Sequence, residues 1–156
     1  MPAVGMVGTS GREIASAFLR MADGKASCYH ITDRHSTGPK VNVLVAAEAS
    51  PVLENIVPQM GRGDYLVVNA DDKAIFPLLS QCEATLITYG FNARACITAS
   101  SVTDEGLQVC IQRAFNGING EERLPQEFSA KVAVRENSDN VLAAAAAWAV
   151  CGTNLV

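Results

Sequence analysis

The sequence predicts an α/β three-layer sandwich on a mainly parallel, Rossmann-like sheet of the phosphate-loop kind, with an antiparallel extension toward the C-terminus. Three observations predict it. The stretch GMVGTSGREIASAF (5–18) runs from an apolar strand through spaced glycines into a helical pattern. VNVLVAAEAS (41–50) is a continuous apolar run, as expected of a strand buried on both faces of a parallel sheet. Beyond Gly90, strand-like segments follow one another with turns between them, the rhythm of an antiparallel layer. With 156 residues, 49% of them hydrophobic, the chain can bury one ordinary core, so 1–156 is expected to be a single domain.

The elements follow in order. Val4 to Val7 is a short buried strand, and Glu13 to Met21 carries Ile14, Ala17, Phe18 and Met21 at helical spacing. Ser27 to Thr32 is a second strand, and the run at 41–50 a third. SPVLENIVPQM then opens a short helix, with Ser50 as its cap and Pro51 at the first position, where a missing N–H costs nothing. DYLVVNADD (64–72) and ATLITYG (84–90) are two more strands, linked by a short helical stretch from Ile75 to Leu79. ACITASSVT, LQVCIQRAF and FSAKVAV are strand-like, and NGINGEERLPQE between the last two is rich in turn residues. Asn137 to Cys151 closes the chain as an alanine-rich helix ended by Gly152.

Composition excludes several function classes. A net charge of −4 with scattered basic residues leaves no footprint for nucleic acid. The most apolar run, Val141 to Val150, is too short to cross a bilayer, so no membrane partner is expected. Cysteines at 28, 82, 96, 110 and 151 form no CxxC pair, and two histidines, His30 and His35, are too few for a metal set. Reduced thiols and a cytoplasmic location are the expectation.

Chemistry concentrates at the glycine loop. Gly5, Gly8 and Gly11 allow a tight turn whose amides can approach an anion at a helix N-terminus, although the same glycines would also serve close strand–helix packing. One reading is a dinucleotide fold, with Asp33 in YHITDR accepting hydrogen bonds from a ribose, as acids about 20 residues past such glycines do. The glycine intervals of three and three depart from the two and three of that fingerprint.

The other reading rests on more of the chain. GMVGTSGRE resembles the GxTGTNGKT loop of the Mur ligases, the ATP-dependent enzymes that add amino acids to peptidoglycan precursors, and of their folylpolyglutamate and cyanophycin synthetase relatives. DYLVVNADD resembles a late strand of their central domain, ATLITYGFNARACITASSV the stretch after it, and ENSDNVLAAAAAWAVCG their HNxxNALAAxAxAxxxG helix. These four segments stand in family order over nearly the whole chain.

The resemblance implies a central ATPase domain with a degenerate loop. Gly8, Thr9, Ser10, Gly11 and Arg12 match the nucleotide-binding loop, but Arg12 and Glu13 stand where the family has the phosphate-binding lysine and the magnesium-binding hydroxyl. Arginine keeps the charge without the compact ammonium, and Glu13 beside a triphosphate would repel it, while complementing the helix dipole well. Glu48 matches the family's magnesium-binding glutamate; in any case a glutamate there needs a partner. Asn137 and Asn140 match the asparagines that hold adenine, and Asn137 is equally suited to capping the helix. The family's long segment bearing a magnesium-binding histidine and a modified lysine is reduced here to about twenty residues between Glu48 and VVNADD, so no catalytic residue is assigned. Asn69, Asp71 and Asp72 follow a strand core and offer a carboxylate pair for acid–base work, but a strand-ending turn accounts for them more simply. The expectation is a truncated Mur-ligase-like domain that binds a nucleotide, a small anion or another protein chain, with ATP and Mg2+ held weakly and without independent ligase activity. The alternatives are a component of an ATP-dependent amide ligase completed by another chain, and a dinucleotide-binding protein.

Overall fold

Apolar runs that no water can satisfy at both faces must pair edge to edge and be covered, and the chain does this with one large sheet. The computed structural model describes residues 2–31, 41–80, 82–133, 135–152 and 155. The strands are β1 (Ala3–Val7), β2 (Ser27–Ile31), β3 (Val43–Ala46), β4 (Tyr65–Asn69), β5 (Thr85–Tyr89), β6 (Ile97–Val102), β7 (Gly106–Ile111), β8 (Phe115–Asn116), β9 (Glu122–Arg123) and β10 (Gln126–Lys131). The helices are α1 (Gly11–Ala22), α2 (Pro51–Ile56) and α3 (Ser138–Cys151), with 3-10 turns at Val57–Gln59 and Lys73–Leu79.

Eight strands form one sheet in the order β10-β7-β6-β5-β4-β3-β1-β2. Pairing is parallel from β2 through to β6, and antiparallel between β6 and β7 and between β7 and β10. The strands expected at 4–7, 41–47, 64–69 and 84–89 thus share one parallel sheet, and the segments after residue 95 supply its antiparallel edge. The small β8–β9 hairpin stands apart from it, inside the turn-rich connection.

Helices α1 and α3 pack on one face of the sheet, over Val4, Met6, Val43, Val45, Val67 and Ile87. Phe18 of α1 meets Trp148 of α3 edge to face, with ring centroids 6.3 Å apart. The opposite face of β1, β3 and β4, formed by Val7, Leu44, Ala46, Leu66 and Val68, is covered by α2 and the two 3-10 turns, which insert Leu53, Val57 and Ile75. Ser50 caps α2 as expected, its hydroxyl accepting from Val52 N at 3.3 Å.

Gly152 ends α3 for a different reason from the one the sequence suggests. It is extended (φ −72°, ψ 152°), not left-handed, and its N–H reaches Trp148 O at 2.6 Å. A Cβ here would lie 2.6 Å from Trp148 Cε2 and 2.8 Å from Trp148 O, so the glycine provides close approach instead of a positive φ. No helix among the described residues is long and apolar enough to cross a membrane.

Candidate functional site: the loop at the strand-order reversal

In open parallel sheets, ligands gather beyond the carboxyl ends of the strands, where successive connections leave on opposite faces. Here β1 lies between β2, the next strand in the chain, and β3, from which the order runs outward to β4 and β5. That reversal puts the crevice between the loop after β1 and the segment after β3, which bear Gly8–Arg12 and Glu48 respectively.

The loop is tightly built. Gly8 has φ +127°, a conformation that a side chain would strain. Gly11 is the first residue of α1 and is buried; its N–H donates to Gly8 O at 3.1 Å, and Ile14 N donates to Ser10 O at 3.0 Å. Ser10 takes the cap position but makes no side-chain cap bond. Arg12 and Glu13 are exposed in the first turn. Gly5 belongs to the strand, paired with Tyr29 and Leu44, and plays no part in the turn.

Two side chains from neighbouring strands hold the loop. Glu48, two residues past β3, accepts a hydrogen bond from Thr9 N through Oε1. A Cβ on Gly8 would stand 3.1 Å from that oxygen and 3.2 Å from Glu48 Cγ, so the carboxylate lies against the glycine backbone. His30, in β2, donates from Nε2 to Gly8 O at 3.2 Å, and its ring is pressed so close to Gly11 that a Cβ there would meet Cδ2 at 2.3 Å. Sequence reasoning missed His30 as a loop residue. The signal was the strand pairing, because Met6, just before the loop, sits opposite His30 in the β1–β2 register.

The remaining predicted residues lie farther along the same edge. Asn137 is exposed and caps α3, its Oδ1 accepting from Asp139 N at 2.7 Å; Asn140 is half-buried in the first turn. Tyr89 at the end of β5 titrates well above its usual range because of burial, reinforced by the charges of Asp139 and Asp71, which locates the start of α3 beside the carboxyl end of β5. The loop and the asparagines therefore share one end of the sheet, over strands three places apart, or roughly 14 Å at about 4.8 Å per strand. Asp33 lies outside the described residues.

The Asn69–Asp72 cluster is a turn. Asn69 Oδ1 accepts from Asp71 N at 2.9 Å, and Asp72 caps the 3-10 turn through Ala74 N at 3.1 Å while binding Ala49 N at 3.0 Å. Asp71 ties in the next loop, accepting from Phe91 N at 2.8 Å and from Asn92 Nδ2 at 2.6 Å. Every one of these oxygens accepts a hydrogen bond that holds the turn or a neighbouring loop.

Among the described residues no three His, Cys, Asp or Glu side chains gather as a metal set. Glu48 is engaged with the Thr9 amide through Oε1. All five cysteines are free; burial pushes Cys28 up to about 11 and Cys151 up to about 12, so neither offers a thiolate near neutral pH. A groove of about 400 Å³, lined in part by Arg20, Phe128, Lys131 and Trp148, lies toward the far end of α1. Arg20 is nine residues beyond Gly11, or roughly 14 Å at about 1.5 Å per residue, so the groove is not part of the loop site.

No family model matches the sequence, and no curated protein matches it. Solved structures do. A UDP-N-acetylmuramoyl-L-alanyl-D-glutamate–2,6-diaminopimelate ligase superposes with a TM-score of 0.66 at 12% identity, covering 99% of this chain and 44% of its own. MurF from Acinetobacter baumannii gives 0.61 at 9% identity with the same coverage, and the murein peptide ligase Mpl from Psychrobacter arcticus gives 0.67 at 9%, covering 98% and 44%. The chain spans less than half the length of the ligases it matches, and along nearly all of its own length it has the fold of the corresponding part of a Mur ligase.

Proposed function

We propose that the chain is a phosphate-recognising binding module of Mur-ligase fold, with a nucleotide as its ligand and no ligase chemistry of its own. The observation that carries this reading is the placement of the Gly8–Gly11 turn. It opens a twelve-residue helix at the carboxyl end of β1, beside the strand-order reversal, where backbone amides and the helix dipole favour an anion. Gly8 admits a close approach of backbone to phosphate, Thr9 and Ser10 offer main-chain donors, and Arg12 adds a screened charge at the rim. Asn137 and Asn140 stand on the same edge for a base. Magnesium would arrive with the nucleotide, since phosphate oxygens and water can complete a shell to which the protein adds a single carboxylate.

A second reading has one observation in its favour: the chain covers only 44% of each of these three ligases, so the module could be completed by further domains or another chain into an amide ligase. The sheet does not favour the dinucleotide reading, since it runs 2-1-3-4-5-6 across its parallel part instead of 3-2-1-4-5-6.

Thermal unfolding with ATP, ADP, NAD and NADP, each with and without magnesium, tests the proposal, because a ligand bound only by the native state raises the midpoint with the logarithm of its saturation. The expected result is a shift with ATP or ADP and none with the dinucleotides. The Arg12→Lys, Glu13→Thr double variant should shift further, since it removes a carboxylate from the phosphate and restores a compact ammonium. No shift with any nucleotide, in parent or double variant, overturns the reading.

A further inference from the structure

We propose that Glu48 is a built-in occupant of the loop, its carboxylate standing in the anion position so that a ligand phosphate must displace it to bind. The proposal deepens the nucleotide reading and rests on it.

The carboxylate does at Thr9 what a phosphate oxygen would do. It accepts the Thr9 N–H and lies against the Gly8 backbone, where a positive-φ glycine leaves room for an anion to come close. It reaches there from the end of the adjacent strand, across the crevice between β1 and β3. The Thr9 N–H stands one residue before Ser10, the cap position of α1, so the carboxylate sits at the entrance to the helix.

Glu48 is not the loop's sole hold. Gly11 N closes the turn on Gly8 O, His30 Nε2 bonds the same oxygen from β2, and the His30 ring abuts Gly11. A carboxylate on a loop that other contacts already hold can leave without unfolding it. A phosphate and the carboxylate carry like charge and contend for the same amide, so they exclude one another. Ligand affinity is then reduced by the fraction of time the loop stands open.

The test uses the full chain in chelator, so that no cation bridges the two anions, and inorganic pyrophosphate as the probe. Calorimetric titration compares the parent with Glu48→Gln, which keeps the shape and loses the charge, and Glu48→Ala. A parallel amide hydrogen-exchange measurement on Thr9 needs no ligand. If the loop is open a tenth of the time or less, both variants bind about tenfold tighter or better, and the Thr9 amide exchanges faster in Glu48→Ala. Equal or weaker binding by the variants, or an unchanged Thr9 amide, overturns the occupancy while leaving the nucleotide reading in place. No binding by the parent or either variant overturns the occupancy, and the nucleotide reading stands or falls separately on the thermal-unfolding panel.

Discussion

Gly11 shows how much a single residue decides here. A Cβ at this position would fall 2.3 Å from His30 Cδ2 and 2.6 Å from Nε2, so alanine forces the imidazole aside and breaks its bond to Gly8 O. Alanine is the better helix former, by about 0.5–1 kcal/mol, but overpacking costs typically about 1–3 kcal/mol, and the clash should win. Gly11→Ala is therefore expected to destabilise the chain by about 1–2 kcal/mol in denaturant unfolding. In a His30→Ala background the same change should cost nothing or stabilise slightly, since the coupling belongs to the pair. An equal cost in both backgrounds would show that His30 is not the reason for the glycine. The sequence displayed the glycine but not its reason. A lone histidine has no periodicity or spacing partner to mark it, and its contact with Gly11 exists only once β2 lies alongside β1. Glu48 was visible as a strand-end acid, but the identity of its partner, the Thr9 amide 39 positions away, depended on the sheet order.

Among the elements, α3 was the most legible and the β8–β9 hairpin the least. Eleven consecutive residues of α3, Val141 to Cys151, are buried, so its faces need no polar stripe and its small alanines let it sit close to α1 and the sheet. The hairpin has two residues per strand and no alternation to read. It is fixed by long-range bonds, with Tyr65 Oη donating to Asn116 O at 2.6 Å and the buried Arg123 donating from Nε to Ala149 O at 3.0 Å near the end of α3. That guanidinium also complements the carboxyl end of the helix dipole. The approach to α3 is held by Arg20 of α1, whose NH1 and NH2 meet the two Glu136 oxygens at 3.0 and 2.8 Å. The hydrogen bonds from Arg20 hold the Glu136 carboxyl below the usual range. A depressed carboxyl contributes stability above its unfolded pKa and loses it as pH falls through the folded value. Comparing urea midpoints at neutral pH and in acid, the parent should exceed Glu136→Gln at neutral pH, and the gap should narrow below the ordinary carboxylate range. A gap independent of pH would mean that the bridge is not what orders this connection.

At the scale of the whole molecule, periodicity and run length conveyed the layers and the split between parallel and antiparallel halves, while strand order had to come from the fold. Continuous apolar runs at β3 and β4 mark buried parallel strands whatever their neighbours, but nothing in them says that β1 is inserted between β2 and β3. That insertion creates the crevice, and it also limits what the crevice can do. Phosphoryl transfer needs cations placed around the γ-phosphate, and among the described residues of the loop Arg12 is the one basic side chain. Arg12 is exposed at the rim, Glu13 follows it with the wrong sign, and Glu48 faces the loop amide, with no metal set gathered around it among the described residues. The chain as given should therefore show no magnesium-dependent ATP hydrolysis above background in a phosphate-release assay, even at nucleotide concentrations that shift its unfolding midpoint. Turnover that co-purifies with the protein through successive columns, and that is abolished by Gly11→Ala at a temperature where this variant remains folded, would mean that the loop still positions a γ-phosphate and that the molecule is an enzyme in its own right.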